Sequence, residues 1–147
     1  MELLSMMRNH VDMLPCAEDL GVVPPSVPKT LQELEILGLT IPRWARLWDE
    51  PGQPFIHPRD YTELSVCAPS VHDTSTMREW WEHEEGGTEY WSALELTGSP
   101  SQRYERETAR EVYRSFQCGA PRICVYQMQD FFPFAPELLD PEPKKER

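Results

Sequence analysis

The chain has 147 residues, 39% of them hydrophobic and 27% charged. That suffices for one domain with a real core and falls short of a complete α/β barrel of about 250 residues. The formal net charge of −11 argues against nucleic acid and anionic membranes as partners, because phosphate binding rests on clustered Lys and Arg. No run approaches the roughly 18 apolar residues of a membrane span. The N-terminus, MELLSMMRNHVDMLP, also lacks the basic start and apolar centre of a signal peptide.

Leu3, Leu4, Met6 and Met7 recur at helical spacing and predict a short amphipathic helix over residues 2–10. A strand is expected at 13–17, running into the acidic pair Glu18-Asp19. After the loop at 21–25, Ser26 is placed to cap a helix carrying Val27, Leu31, Leu34 and Leu37, with Gly38 closing it. A short strand at 39–41 leads into Arg43 and Trp44, and the Pro- and Gly-rich stretch 48–60 reads as a loop.

The next strand, 64–68, is followed by His72-Asp73-Thr74-Ser75-Thr76, where Thr74 or Ser75 is positioned to cap a helix through Met77, Trp80 and Trp81. Residues 84–100 are less regular. A surface helix is expected over 102–116 and a last strand over 123–128, reaching Gln129-Asp130. The segment 136–147, rich in Pro and charge, reads as a frayed tail beyond a domain at 1–135. The strands are apolar on both faces, as in a parallel sheet covered by helices, and no internal repeat is evident. The fold class expected is α/β, with about four parallel strands forming part of a barrel.

In parallel α/β sheets, active sites form at the carboxyl ends of the strands, and two acidic clusters follow apolar runs here. Glu18 fits either a general acid/base or a residue that caps the following turn. Asp73, beside His72, fits either a group that orients substrate hydroxyls or a helix cap. A metal site from Glu18, His72 and Asp73 is weakly supported, since no H-x-x-x-H spacing is present. Trp80 and Trp81 read as packing residues, whereas Trp44 and Trp48, beside a loop, suit stacking on the flat face of a sugar. Cys16, Cys67, Cys118 and Cys124 have no CxxC spacing. Cys16 and Cys67 read as small buried hydrophobes, which favours a reducing cytoplasm.

Cys16-Ala17-Glu18-Asp19-Leu20-Gly21 resembles the AEDLG block of 4-α-glucanotransferases, the amylomaltases of glycoside hydrolase family 77. Residues 69–76, continuing to Trp80-Trp81-Glu82, resemble that family's HD block and the Trp-Trp of one of its branches. Gln129-Asp130 is similar to a Gln-Asp on a later barrel strand, a weaker match on its own. The resemblance covers roughly residues 3–140. It implies the C-terminal part of a (β/α)8 barrel and retaining transfer of α-1,4-glucan segments between malto-oligosaccharides, with no metal or organic cofactor.

By the same resemblance, Glu18 is the general acid/base and Asp73 holds hydroxyls of the distorted sugar. His72 is a neighbouring donor and Asp19 shapes the loop. From their place after the 39–41 strand, Arg43 and Trp44 are added to the expected substrate-binding set. The family's nucleophile, an Asp in an Arg-x-Asp motif, has no counterpart before Glu18. Asp12 lies in the approach to the same strand, and Arg59-Asp60 comes in the wrong order. The resemblance therefore implies a chain truncated at both ends, lacking the N-terminal half of its barrel and inactive alone. The alternatives are a non-catalytic glucan-binding module and a half that complements a separate N-terminal half.

Overall fold

The computed structural model describes residues 2–84, 86–142 and 145. The chain forms helix α1 (Glu2–His10), helix α2 (Ser26–Glu33), strand β1 (Gly38–Thr40), strand β2 (Ser65–Cys67), helix α3 (Met77–His83), helix α4 (Gly86–Ala93), helix α5 (Arg106–Gln117) and strand β3 (Ile123–Cys124). The strands make one parallel sheet in the order β1-β2-β3. Leu39 pairs with Val66, and Val66 pairs with Ile123. Among the described residues, three strands stand where about four were expected, and the sheet is open rather than closed into a barrel.

The missing strand is the one expected at 13–17. It survives as a single parallel bridge from Cys16 to Leu37, held by Ala17 N–H to Leu37 O at 2.8 Å and Leu37 N–H to Pro15 O at 3.2 Å. Pro15 has no N–H to extend the ladder. Met13 and Leu14 lie 70% and 61% exposed, so no packing rewards a longer strand. Cys16 is correspondingly exposed, against the buried position expected of it, while Cys67 is buried as expected. The last strand also stops early, at Cys124, because Gln127 turns the chain into a 3-10 segment, Met128–Phe134.

Both ends of helix α2 differ from expectation. Helix α2 is preceded by Pro25 and has no side-chain cap, Ser26 being already helical. It ends at Glu33, and Glu35 takes a left-handed φ of 53°. Gly38 therefore lies within β1 rather than closing the helix. A side chain there would bring its Cβ to 3.0 Å from Asp19 Oδ2, so the glycine lets that carboxylate approach the strand.

The core is aromatic and sits among α3, α4 and α5. Thr108, Ala109, Val112, Tyr113 and Phe116 form one buried stripe along α5 at helical spacing. Phe55, Trp80 and Tyr90 meet edge to face at centroid distances of 5.0–5.9 Å. The segment read as irregular, 84–100, contains α4. The loop read at 48–60 folds back on itself, with Arg46 bridging Phe55 in an antiparallel pair and its guanidinium 3.4 Å from the Phe55 ring centroid.

Residues Pro136–Leu138 form a 3-10 turn, and Asp140 O accepts from Arg78 Nη1 at 2.7 Å. Part of the tail expected over 136–147 falls on residues 143, 144, 146 and 147, outside the described residues. No helix among the described residues is long and apolar enough to cross a membrane.

Candidate active site at the carboxyl edge of the sheet

All four backbone stretches, the Cys16 bridge and the three strands, run in the same direction. Each is followed by a residue singled out in the sequence: Glu18 and Asp19 after the bridge, Arg43 and Trp44 after β1, His72 and Asp73 after β2, and Asp130 after β3. Parallel topology alone therefore gathers them toward one edge of the sheet.

The side chains behave differently. Glu18 is exposed. Asp19 is half-buried and turned along β1, its Oδ1 accepting from Leu39 N at 2.9 Å, which ties the acidic loop to the sheet. Trp44 ends a 3-10 turn (Pro42–Trp44) and is 42% exposed; Trp48 is 55% exposed. Arg43 is buried, with its guanidinium directed inward and 5.4 Å from the Trp80 ring centroid.

His72 and Asp73 sit at the tip of a tight turn. Thr74 N donates to Val71 O at 2.9 Å, and Thr74 Oγ1 both accepts from Val71 N and donates to Val71 O. The turn leaves both side chains in solvent, with His72 Nε2 3.2 Å from Asp73 Oδ2. They are brought together with each other; Glu18 follows a different backbone stretch, the Cys16 bridge, and no bond among the described residues joins it to them.

Beneath that exposed tip lies a buried polar framework. Arg43 Nη1 donates to Ser75 Oγ at 2.5 Å and Nη2 donates to Ser75 O at 2.7 Å. Ser75 Oγ in turn donates to Glu84 Oε1. Thr76, not Thr74 or Ser75, caps α3: its side chain accepts from Glu79 N at 3.2 Å. Asp130 is 2% exposed and accepts from Ser70 Oγ at 2.7 Å and from the amides of Met77 and Gln127, each at 3.3 Å. Tyr113 of α5 donates to the Asp130 carbonyl.

Ser70, Ser75 and Asp130 were not legible from the sequence as a unit. The one available signal was the run of Ser and Thr between an apolar strand and an apolar helix, which needs buried partners. Among the described residues no group of three His, Cys, Asp or Glu side chains is arranged to hold a metal ion.

A short parallel sheet with helices, followed by acidic loops, is an α/β arrangement. It superposes on the structure described as amylomaltase from Streptococcus agalactiae in complex with acarbose, with a TM-score of 0.65. Sequence identity is 20%, and the match covers 88% of this chain and 26% of that one, so the likeness shows the fold. The glycoside hydrolase family 77 model, described as 4-alpha-glucanotransferase, matches residues 1–145.

The chain belongs to that family. It is 34% identical over 148 residues to the 4-alpha-glucanotransferase of Chlamydia pneumoniae, covering 99% of this chain and 27% of the relative. It is 36% identical over 130 residues to the 4-alpha-glucanotransferase DPE2 of Oryza sativa subsp. japonica, covering 86% of this chain and 13% of the relative. The chain thus spans about a quarter, or less, of the length of these relatives.

Proposed function

We propose that this chain supplies the acid/base and substrate-positioning part of a 4-α-glucanotransferase, acting on malto-oligosaccharides by retaining double displacement. The observation that carries the reading is the parallel topology. Glu18 and the His72–Asp73 pair are all exposed, and both follow parallel backbone stretches flanking β1. Membership of the family supports it.

In the first step a carboxylate outside the matched blocks of this chain attacks the anomeric carbon. The glycosidic C–O bond breaks as the C–O bond to that carboxylate forms, and Glu18 passes its proton to the departing oxygen. In the second step Glu18, now ionised, takes the proton of an acceptor 4-hydroxyl as that oxygen displaces the carboxylate. Asp73 accepts from hydroxyls of the distorted ring, with His72 beside it, and Trp44 offers an aromatic face to a neighbouring glucose. Arg43 and Asp19 serve the site from within, the one through the Ser75 backbone and the other through Leu39 N–H. The nucleophile must lie about 5–5.5 Å from Glu18 for retention. A partner segment with the rest of the barrel provides it, and we place the reaction in the cytoplasm with no cofactor.

The test mixes the chain with the N-terminal portion of a family relative and follows glucose released from maltotriose. The chain alone should give no turnover and the mixture should. Glu18→Gln should lower that rate by about 10²–10⁴-fold, the usual contribution of a general acid/base. Unchanged glucan affinity and unchanged rate in E18Q would instead favour a binding module, which needs aromatic contacts but no acid.

A further inference from the structure

His72 and Asp73 owe their place to very few bonds of their own. Among the described residues, the turn that carries them is closed by Thr74 on Val71, and both side chains are largely in solvent. Its position on the sheet must come from its two ends. Both converge on one carboxylate: Ser70 Oγ, before the turn, donates to Asp130 Oδ2, and Met77 N, after it, donates to Asp130 Oδ1. The same carboxylate accepts from Gln127 N, which joins the turn to the end of β3. Arg43 adds a second hold from the end of β1, through Ser75.

We propose that Asp130 is a positioning residue, a buried clamp that sets the His72–Asp73 turn at the carboxyl edge of the sheet. The proposal rests on the reading of Asp73 as a substrate contact for its functional meaning, while the clamp itself is a statement about the loop. Two features make Asp130 fit this work. A carboxylate accepts several hydrogen bonds at once, and bonds to a charged acceptor are stronger than neutral ones. Burial at 2% exposure also keeps water from competing for them. The amide of Asn keeps the shape of Asp but replaces one acceptor oxygen with a donor facing donors.

The experiment uses the full chain with Asp130→Asn and, as a milder break, Ser70→Ala. Amide hydrogen exchange is followed at Val71 and Thr74, which Asp130 does not touch, and at Val112 and Phe116 of α5 as reference. In D130N the Val71 and Thr74 amides should accelerate on the order of tenfold more than the α5 amides do; S70A should shift them in the same direction by less. The His72 ring resonance should move toward the position it takes in Asp73→Asn, while His10 and His57 stay in place.

Unchanged exchange at the turn would overturn the clamp. So would equal acceleration in turn and α5, which would make Asp130 a general support of the fold. The functional reading fails separately. If D73N leaves transfer by the assembled enzyme intact, Asp73 is not a substrate contact, whatever the exchange data say about Asp130.

Discussion

A buried carboxylate is costly unless its hydrogen bonds replace the water it has lost, and Asp130 shows both sides of that balance. Burial is the largest influence on its carboxyl and raises its proton affinity. The bonds from Ser70, Met77 and Gln127 and the charge of Arg43 pull in the opposite direction without cancelling it. A carboxyl raised on folding binds its proton more tightly in the native state. Between the ordinary and the raised value the native chain therefore holds more protons than the unfolded one. The contribution to stability is fully present below the ordinary carboxylate value and is lost as pH rises through the raised one. The stability difference between wild type and D130N should accordingly shrink as pH rises across that window, as read from urea midpoints at several pH values. A difference that grows with pH would show that the hydrogen bonds outweigh burial. Arg43 carries the complementary lesson: placed with the substrate contacts from its sequence position, it is buried and bonded to the loop backbone.

At the scale of elements, α3 and α4 pack through two glycines against two tryptophans. A Cβ at Gly86 would fall inside contact distance of the Trp80 ring, and one at Gly87 would lie 2.6 Å from Trp81 Cδ2. Gly86→Ala or Gly87→Ala should cost about 1–3 kcal/mol by overpacking, measurable by urea denaturation. A neutral result would mean that the tryptophans can shift. Thr76→Ala removes the cap of α3 and should cost about 1 kcal/mol in the same assay. Helix α3 itself was legible from its Ser/Thr-rich start, but its cap was displaced. The choice among Thr74, Ser75 and Thr76 was decided by partners distant in sequence, since Arg43 and Glu84 engage Ser75 while Thr74 closes the turn on Val71. Helix α4 was missed because its buried residues are two glycines and Tyr90, which give no apolar stripe to read.

For the whole molecule, the open sheet and helix α1 set the behaviour in solution. Helix α1 buries none of its residues, and Leu3, Met6, Met7, Met13 and Leu14 are all more than half exposed. Exposed apolar side chains together with an open sheet favour association. The chain should sediment with an average mass that rises with concentration. Addition of the N-terminal portion of a family relative should suppress this as the two pieces pair. A strictly monomeric chain that ignores that portion would oppose the complementing-half reading. The net charge of −11 slows such self-association at low ionic strength, so added salt should promote it.

Local sequence determined the helices with strong apolar periodicity, the parallel α/β class and the two acidic segments after apolar runs. Each depends on side-chain pattern within a few residues, and the family motifs lie in those same segments. Tertiary structure decided what local pattern could not. It reduced the first strand to a single bridge, because Pro15 removes a donor and nothing covers Met13 and Leu14. It turned Asp19 toward Leu39 N–H and Arg43 toward Ser75, because unpaired backbone groups there need partners more than solvent does. It also brought Asp130 across 60 positions of sequence to Ser70. That convergence depends on the register of β2 against β3, which no short window of the sequence contains.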